Sequence, residues 1–182
     1  MSILSAKTYI PRILSRNYQG GKVLEIAAGR AEYRQLFQSY VGTDLPGHPY
    51  PGEGSLDAYC DARILPFCES IFDFAFIVAA LHLIPTPEKV IRSLYKLLQP
   101  GGTLMVFDYT RKTQKRLADS IFESSGVVQN YPFWNERELS ALISDAGFDD
   151  IKRIVPNGTA VQAIRQLMGR DQRWLILKGI KL

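Results

Sequence analysis

The stretch from residue 23 to residue 31, Val-Leu-Glu-Ile-Ala-Ala-Gly-Arg-Ala, constrains the fold of this chain more than any other. It starts with a short apolar run, which is typical of a buried strand, and continues with small residues, which are typical of a tight turn. A turn without large side chains lets the backbone lie close to a bound nucleoside. Its glycine content is incomplete, because Ala27 and Ala31 stand on either side of Gly29. The stretch predicts a strand that ends in a ligand-binding turn.

Short apolar runs alternate with amphipathic segments along the chain. Strands are predicted at residues 22–27, 41–44, 58–60, 74–80, 103–107, 150–155 and 174–177. Apolar residues at the spacing of a helix face occur at 33–40, 90–98, 112–123, 139–143 and 161–168. This alternation predicts an α/β fold: a doubly wound, mostly parallel sheet of seven strands with helices on both faces.

Two of the helices have marked ends. Thr86 is predicted to cap the first of them, with Pro87 at its first position. Asn135 and Glu138 have the spacing of a capping box, and Gly147 is expected to end that second helix.

Length and composition favour one globular domain. The 182 residues, 46% of them hydrophobic and 22% charged, are enough for a single substantial core. We expect residues 1–182 to form this domain, with residues 1–20 as a short N-terminal cap segment. No apolar run is long enough for a transmembrane helix, and no signal peptide is recognised. Cys60 and Cys68 lack the spacing of zinc ligands or of a redox pair, so we expect a cytoplasmic protein without membrane insertion and without a metal site.

The charge of the chain is mildly basic, with a formal net charge of +4. Basic residues cluster at 111–116 and at 165–181, and such clusters can attract an anionic substrate or nucleic acid. Aromatic residues are not interleaved with them, so a solvated surface is the favoured interpretation and nucleic-acid binding lacks support.

Small or polar residues follow five of the predicted strands. They are Gly29, Asp44, Asp61, His82 and Asp108. Ligands of open α/β sheets bind outside the carboxyl ends of the strands, where the strand order reverses. The pattern predicts a concave polar site at this edge of the sheet.

Two phosphate-binding motifs do not fit the chain. Aligned on a dinucleotide-binding G-x-G-x-x-G loop, it offers Ala27, Gly29 and Glu32, and a glutamate at the third position obstructs close packing of helix on strand. A phosphate loop ending in G-K-[ST] is absent from the sequence.

Taken together, the motifs resemble the class I S-adenosylmethionine-dependent methyltransferases of the small-molecule type. The resemblance covers nearly the whole chain and rests on residues 23–31, 41–44, 61–67, 72–83, 97–104 and 139–148. It implies a Rossmann-like sheet whose last strand is antiparallel, S-adenosylmethionine as the cofactor, and transfer of its methyl group. This donor carries no phosphate, so alanines in the first turn are tolerated better than in a pyrophosphate loop.

The resemblance also assigns the residues that contact the cofactor. Asp44 is expected to accept hydrogen bonds from the ribose hydroxyls, Asp61 from the adenine amino group, and Glu25 to hold N–H groups of the first turn. A turn cap, an Asx turn and an edge salt bridge are the respective structural alternatives. The full predicted set is Glu25, Ala27, Ala28, Gly29, Asp44, Leu45, Asp61, Ala62 and Ala79.

His82 is the candidate catalytic residue. Histidine exchanges protons near neutral pH, and His82 follows the strand that leads into the active-site loop. A purely structural histidine is the alternative. Tyr109, Tyr131 and Trp134 are candidates for the acceptor pocket, or else ordinary aromatics of the core and its rim.

The main hypothesis is therefore an enzyme that methylates a small-molecule acceptor. Two others stay open: a nucleoside-binding module without catalysis that acts through a partner, and a methyltransferase acting on RNA or protein, with the basic residues at 111–116 in contact with it.

Overall fold

The computed structural model describes residues 6–47, 56–110, 134–155 and 174–182. The elements in chain order are α1 (Ala6–Asn17), β1 (Lys22–Ile26), β2 (Ser39–Asp44), β3 (Ala58–Tyr59), β4 (Phe72–Val78), α2 (Pro87–Leu97), β5 (Leu98–Tyr109), α3 (Glu136–Asp145), β6 (Asp149–Arg153) and β7 (Trp174–Ile180). Short 3₁₀ turns precede β2, at Arg34–Leu36, and follow β4, at Leu81–Leu83.

All seven strands lie in one sheet in the order β3-β2-β1-β4-β5-β7-β6. β1 pairs in parallel with both β2 and β4, β2 with β3, and β4 with β5. β7 alone runs antiparallel to its two neighbours, β5 and β6. The strand order reverses between β1 and β4, which is where such sheets bind ligands. The predicted fold, including its antiparallel last strand, is confirmed.

Each face of the sheet carries its own apolar layer. Successive side chains of β1 point to opposite faces of the sheet. Val23 packs in the layer under α1 (the α1 layer), and Leu24 packs in the layer under α2 and α3 (the α2 layer). The α1 layer is rich in aromatic rings, including Phe37, Phe74 and Phe76. The helices thus cover both faces, as the alternation of strands and helices predicts.

The predicted helix over residues 33–40 is wrong. This segment forms only the turn Arg34–Leu36 and then enters β2, where Tyr40 is a strand residue. The ring of Phe37 stacks on that of Tyr40, with centroids 6.1 Å apart, and both are buried. Phe37 and Tyr40 therefore reach the same apolar layer from a turn and from an extended strand. Their three-residue spacing also occurs on one face of a helix, so the spacing alone does not distinguish the two structures.

The helix ends agree in part with the prediction. Asn135 and Glu138 form the predicted capping box, and α3 ends just before Gly147, which has a φ of +107°. α2 begins at Pro87, but the side chain of Thr86 makes no cap hydrogen bond. Its hydroxyl donates instead to the carbonyl of Pro85, at 2.6 Å, and its own φ is +57°. The predicted Thr86 cap is wrong because the hydroxyl is used within its own turn.

Several strands extend beyond the predicted limits. β4 begins at Phe72, and β5 begins at Leu98, before the predicted start at residue 103. The predicted helices at 112–123 and 161–168 lie outside the described residues. Among the described helices, none has both the length and the apolar character needed to span a bilayer.

Candidate functional site

The turn after β1 adopts a glycine-like backbone in spite of its alanines. Ala27, Gly29 and Ala31 have φ values of +53°, +57° and +49°, all in the left-handed region. The turn is tied to the next strand, since the N–H of Ala28 donates to the carbonyl of Thr43 at 2.9 Å. Each alanine in this region costs about 1–2 kcal/mol. The chain accepts that strain and keeps the close-approach shape that the first motif requires.

Asp44 connects the ends of β1 and β2. One carboxylate oxygen accepts from the N–H of Gly29 at 2.8 Å, and the other accepts from the N–H of Leu45 at 2.7 Å. Asp44 is therefore the carboxylate that holds the turn. It lies at the predicted strand end, and its contacts are those of the turn cap that was the structural alternative. Each oxygen has a second lone pair that can accept from a ribose hydroxyl. Ribose binding stays a prediction for this half-buried residue, as does binding by the exposed Leu45 beside it.

Glu25 is buried on the α1 side of the sheet, with 2% of its surface exposed. Its carboxyl accepts a hydrogen bond from the hydroxyl of Tyr40 on the neighbouring strand. The N–H of Gly29 in the turn is bound by Asp44 instead, whereas the Glu25 carboxyl is bound by Tyr40. Burial raises the pKa of Glu25 to about 8, and the hydrogen bond from Tyr40 opposes only part of this shift.

The Glu25–Tyr40 contact depends on a glycine between the two strands. A Cβ built on Gly42, the register partner of Glu25, lies 2.8 Å from the Tyr40 hydroxyl oxygen. The absence of a side chain there leaves room for the hydroxyl. Burial also raises the pKa of Tyr40, so this hydroxyl remains a hydrogen-bond donor.

Asp61 is engaged by a neighbouring arginine. The guanidinium of Arg63 lies 2.5 Å from one carboxylate oxygen, and the backbone N–H of Arg63 donates to the other at 2.8 Å. The second contact has the form of the Asx turn that was the structural alternative. These contacts with Arg63 hold the pKa of Asp61 down at about 2. Adenine binding by Asp61 and the adjacent Ala62 stays a prediction. In the bound state, the Asp61 carboxylate would accept hydrogen bonds from both Arg63 and the adenine amino group.

Ala79 shapes the turn after β4. Its φ is +54°, and its N–H donates to the carbonyl of Phe107 on β5 at 2.8 Å. The backbone then enters the 3₁₀ turn that carries His82. The end of β4 is therefore held against β5 by the strand pairing and by this additional bond.

His82 is buried and contacts Asp108, which lies at the carboxyl end of β5. The Nδ1 atom of His82 lies 2.6 Å from one oxygen of Asp108, and the backbone N–H of His82 donates to the other at 2.9 Å. The exposed fractions of the two side chains are 7% and 0%. Sequence reasoning placed Asp108 at a strand end but gave it no role. The available signal was that β4 and β5 are successive parallel strands, so residues just after each lie side by side.

The predicted acceptor aromatics separate in the structure. The ring of Tyr109 meets that of His82 edge-on, with centroids 5.5 Å apart, and lies 4.5 Å from the ring of Trp174. Trp134 is buried in the α2 layer, and its indole N–H donates to Asp108 at 3.3 Å. Tyr131 lies outside the described residues. Tyr109 thus lies beside His82, the candidate catalytic residue, whereas Trp134 lies in the core and binds Asp108, the partner of His82. Lining of an acceptor pocket by these residues stays a prediction.

Comparison with known proteins decides the family. The family described as "Methyltransferase domain" matches residues 4–153. The chain belongs to this methyltransferase family. Within the residues that the structure describes, no group of three or more His, Cys, Asp or Glu side chains is arranged to hold a metal ion.

This methyltransferase is similar to several named proteins. It is 26% identical to the ubiquinone/menaquinone biosynthesis C-methyltransferase UbiE of Pseudoalteromonas translucida over 72% of the chain and 67% of that protein. For the corresponding proteins of two Pectobacterium species, the chain spans only 44% of their length. An S-adenosylmethionine-dependent methyltransferase from Thermotoga maritima has the same fold, with a TM-score of 0.69 and 18% identity over 97% of this chain and 89% of its own.

S-adenosylmethionine is the donor predicted from the sequence. One structural neighbour, a phosphoethanolamine N-methyltransferase of Haemonchus contortus, was solved with S-adenosylhomocysteine; its TM-score is 0.65, with 15% identity over 99% of this chain and 53% of that one. The residues of the present site fit this donor, because the turn at Ala27–Gly29 admits a close ligand and Asp44 retains acceptor capacity at the tip of β2. The predicted adenine side differs, since the guanidinium of Arg63 already binds Asp61, the carboxylate expected to accept a hydrogen bond from the adenine amino group.

Proposed function

We propose that this methyltransferase, acting as one domain over residues 1–182, methylates a small-molecule acceptor and uses His82 to take up the proton that the acceptor loses. The observation that carries the proposal is the position of His82. It lies in the 3₁₀ turn after β4, and β4 pairs with β1, so the buried imidazole follows the strand that neighbours the proposed donor-binding turn. An imidazole in that place suits general-base catalysis.

The chain itself has three tasks in this reaction. The turn at Ala27–Gly29 and the carboxylate of Asp44 bind and orient the donor, which supplies an electrophilic methyl group on a sulfonium. Orientation of the acceptor in line with that methyl group provides most of the rate enhancement. His82 receives the acceptor proton, and its burial excludes water from the step.

The named relatives suggest which acceptors to test first. UbiE proteins are C-methyltransferases of ubiquinone and menaquinone biosynthesis. A hydroxylated aromatic ring is a compact acceptor with a proton to lose, and the aromatic ring of Tyr109 lies beside His82. Hydroquinones and phenols therefore come before amines in a substrate panel.

The two other hypotheses receive no support from the described residues. A module without catalysis was suggested by the alanines of the first turn, but these alanines take the backbone conformation of glycine. The basic cluster at 111–116, which would contact RNA or protein, lies outside the described residues. A small-molecule acceptor therefore comes first.

The proposal is tested in two stages. Calorimetry with S-adenosylmethionine and with S-adenosylhomocysteine measures donor binding, and no heat with either compound contradicts the proposal at once. Labelled donor is then incubated with hydroquinones, phenols, amines and a metabolite extract. We expect a methylated small molecule, and His82→Gln should reduce its formation by about 10²-fold or more while donor binding is kept. Binding of RNA with a steep salt dependence, together with its methylation, would favour the third hypothesis.

A further inference from the structure

Asp108 is a completely buried carboxylate that accepts four hydrogen bonds. One oxygen lies 2.6 Å from Nδ1 of His82 and accepts the N–H of Tyr109 at 2.7 Å. The other accepts the backbone N–H of His82 at 2.9 Å and the indole N–H of Trp134 at 3.3 Å. Both oxygens are thus fixed from several directions, and the carboxylate cannot rotate without breaking buried hydrogen bonds.

This arrangement has a chemical consequence for the imidazole. A carboxylate only accepts hydrogen bonds, so the contact at 2.6 Å requires the proton of a neutral His82 ring to be on Nδ1. The other nitrogen, Nε2, then carries the lone pair. The nitrogen that exchanges a proton with another molecule is therefore Nε2, and the backbone bond from His82 to the same carboxylate sets the orientation of the ring.

We propose that Asp108 is a positioning residue that holds His82 as the Nδ1-protonated tautomer, so that Nε2 takes the proton of the methyl acceptor. This rests on the proposed function and specifies its acceptor: a molecule that must lose a proton, such as a hydroxyl, an N–H or an acidic C–H compound. Acceptors that react without losing a proton, such as thioethers and tertiary amines, are excluded.

The step balances in atoms and charge. The acceptor atom forms a bond to the methyl carbon as its proton moves to Nε2 of His82. The carbon–sulfur bond breaks, and its electron pair stays on sulfur. One positive charge disappears from the sulfonium and one appears on the imidazolium, which lies against the Asp108 carboxylate. Asp108 therefore both selects the tautomer and stabilises the ring after it has accepted the proton.

A purely structural role for Asp108 makes a different prediction. The bonds to the N–H groups of His82, Tyr109 and Trp134 would hold the turn together whichever ring nitrogen carried the proton. The contact at 2.6 Å fixes the tautomer in either role, so the fall in kcat for Asp108→Asn separates the two roles, whereas the tautomer tests the premise without an acceptor or a donor.

The first test is nitrogen NMR of ¹⁵N-histidine-labelled protein. The chain has two histidines, so the signals lost in His82→Gln identify this residue. At a pH where the ring has been titrated to its neutral form, we expect protonated Nδ1 and unprotonated Nε2 in the wild type. Asp108→Asn should shift the ring toward the Nε2-protonated tautomer, because the amide N–H₂ can donate to Nδ1. Trp134→Phe removes one bond to Asp108 but not its contact with the ring, so the tautomer should persist.

The second test separates binding from turnover. With the acceptor found by the labelled-donor assay, Asp108→Asn should lower kcat by about 10²-fold or more and change the Kd of the donor by less than about twofold. Asp145→Asn, the same replacement at an exposed position of α3, is the matched control and should leave kcat unchanged.

Two results overturn the inference: an Nε2-protonated ring in the wild type, or a drop in kcat for Asp108→Asn that is no larger than for Asp145→Asn. If Asp108→Asn fails to fold, the wild-type spectrum still decides whether the ring has the tautomer that the inference requires. Loss of donor binding by the wild type would instead refute the proposed function, and the tautomer is read independently of it.

Discussion

Replacement of Glu25 by glutamine should make this methyltransferase more stable at alkaline pH. Glu25 is 2% exposed, and its carboxyl has the Tyr40 hydroxyl as a donor. Loss of water around the charged form outweighs that single hydrogen bond, so the pKa rises from its ordinary value of 4.5 to about 8. Glutamine has nearly the same shape and keeps an oxygen for Tyr40, but it never becomes charged.

The sign and size of the effect come from proton linkage. Between pH 4.5 and about 8 the folded state holds a proton on Glu25 that the unfolded state has released. The favourable contribution of this proton is complete below the unfolded pKa and is lost as the pH rises through the folded pKa. The free energy of unfolding of the wild type, relative to the variant, should fall by up to ~1.4 kcal/mol for each pH unit in this interval. Over the whole interval, from pH 4.5 to about 8, the loss is on the order of 5 kcal/mol.

Urea denaturation of both proteins at pH 5, 6, 7, 8 and 9 measures this difference, and the titration of groups common to both cancels. We expect the variant to gain on the wild type steadily and to level off above pH 8. Tyr40→Phe is a second variant that removes the donor to the charged form, so its loss of stability with pH should extend to higher pH than in the wild type. A difference between wild type and Glu25→Gln that stays constant from pH 5 to pH 9 would refute the reasoning.

Three further changes test the donor site and the packing. Asp44→Ala removes the acceptor for Gly29 N–H and the predicted ribose ligand, so calorimetry should show a Kd for S-adenosylmethionine raised at least tenfold, about 1.4 kcal/mol, whereas Asp57→Ala should change it less than about twofold; equal effects would move the ribose site elsewhere. Arg63→Gln releases Asp61 from its ion pair and should tighten donor binding by about threefold, and weaker binding would contradict the shared-carboxylate interpretation. Asn135→Ala breaks the capping box of α3 and should cost about 1 kcal/mol in urea denaturation, with an unchanged midpoint arguing against the cap.

The fold was predictable because its signals are local and repeated. Central strands such as β1 and β4 are short and apolar, the connections between neighbouring parallel strands are long enough for a crossover, and the motif at residues 23–31 marks the first turn. The helix predicted at 33–40 shows where periodicity fails. Three-residue spacing of aromatics satisfies a helix face, but it equally fits a turn followed by a strand that fills the same layer.

The candidate site was predictable in position but only partly in contacts. The residues at strand ends fix which edge of the sheet carries the site, and Asp44, His82 and Asp108 all lie there. The sequence pattern did not show which neighbouring groups bind the predicted site carboxylates. Asp61 has an arginine two residues later that binds it, and the N–H of Gly29 in the turn is bound by Asp44, whereas the Glu25 carboxyl is bound by Tyr40.

The site divides into two parts that rest on different pairs of strands. The turn after β1 and Asp44 at the tip of β2 form the proposed donor side, joined by the bond from Gly29 N–H. His82 after β4 and Asp108 at the end of β5 form the side of the proposed proton transfer; two hydrogen bonds join them, and Trp134 donates a further one to Asp108. Among the described residues, the pairing of β1 with β4 links the two sides. We therefore expect donor binding to persist when His82 is replaced. Substitutions around His82 and Asp108 can likewise change the proton-transfer chemistry without altering the turn at Ala27–Gly29.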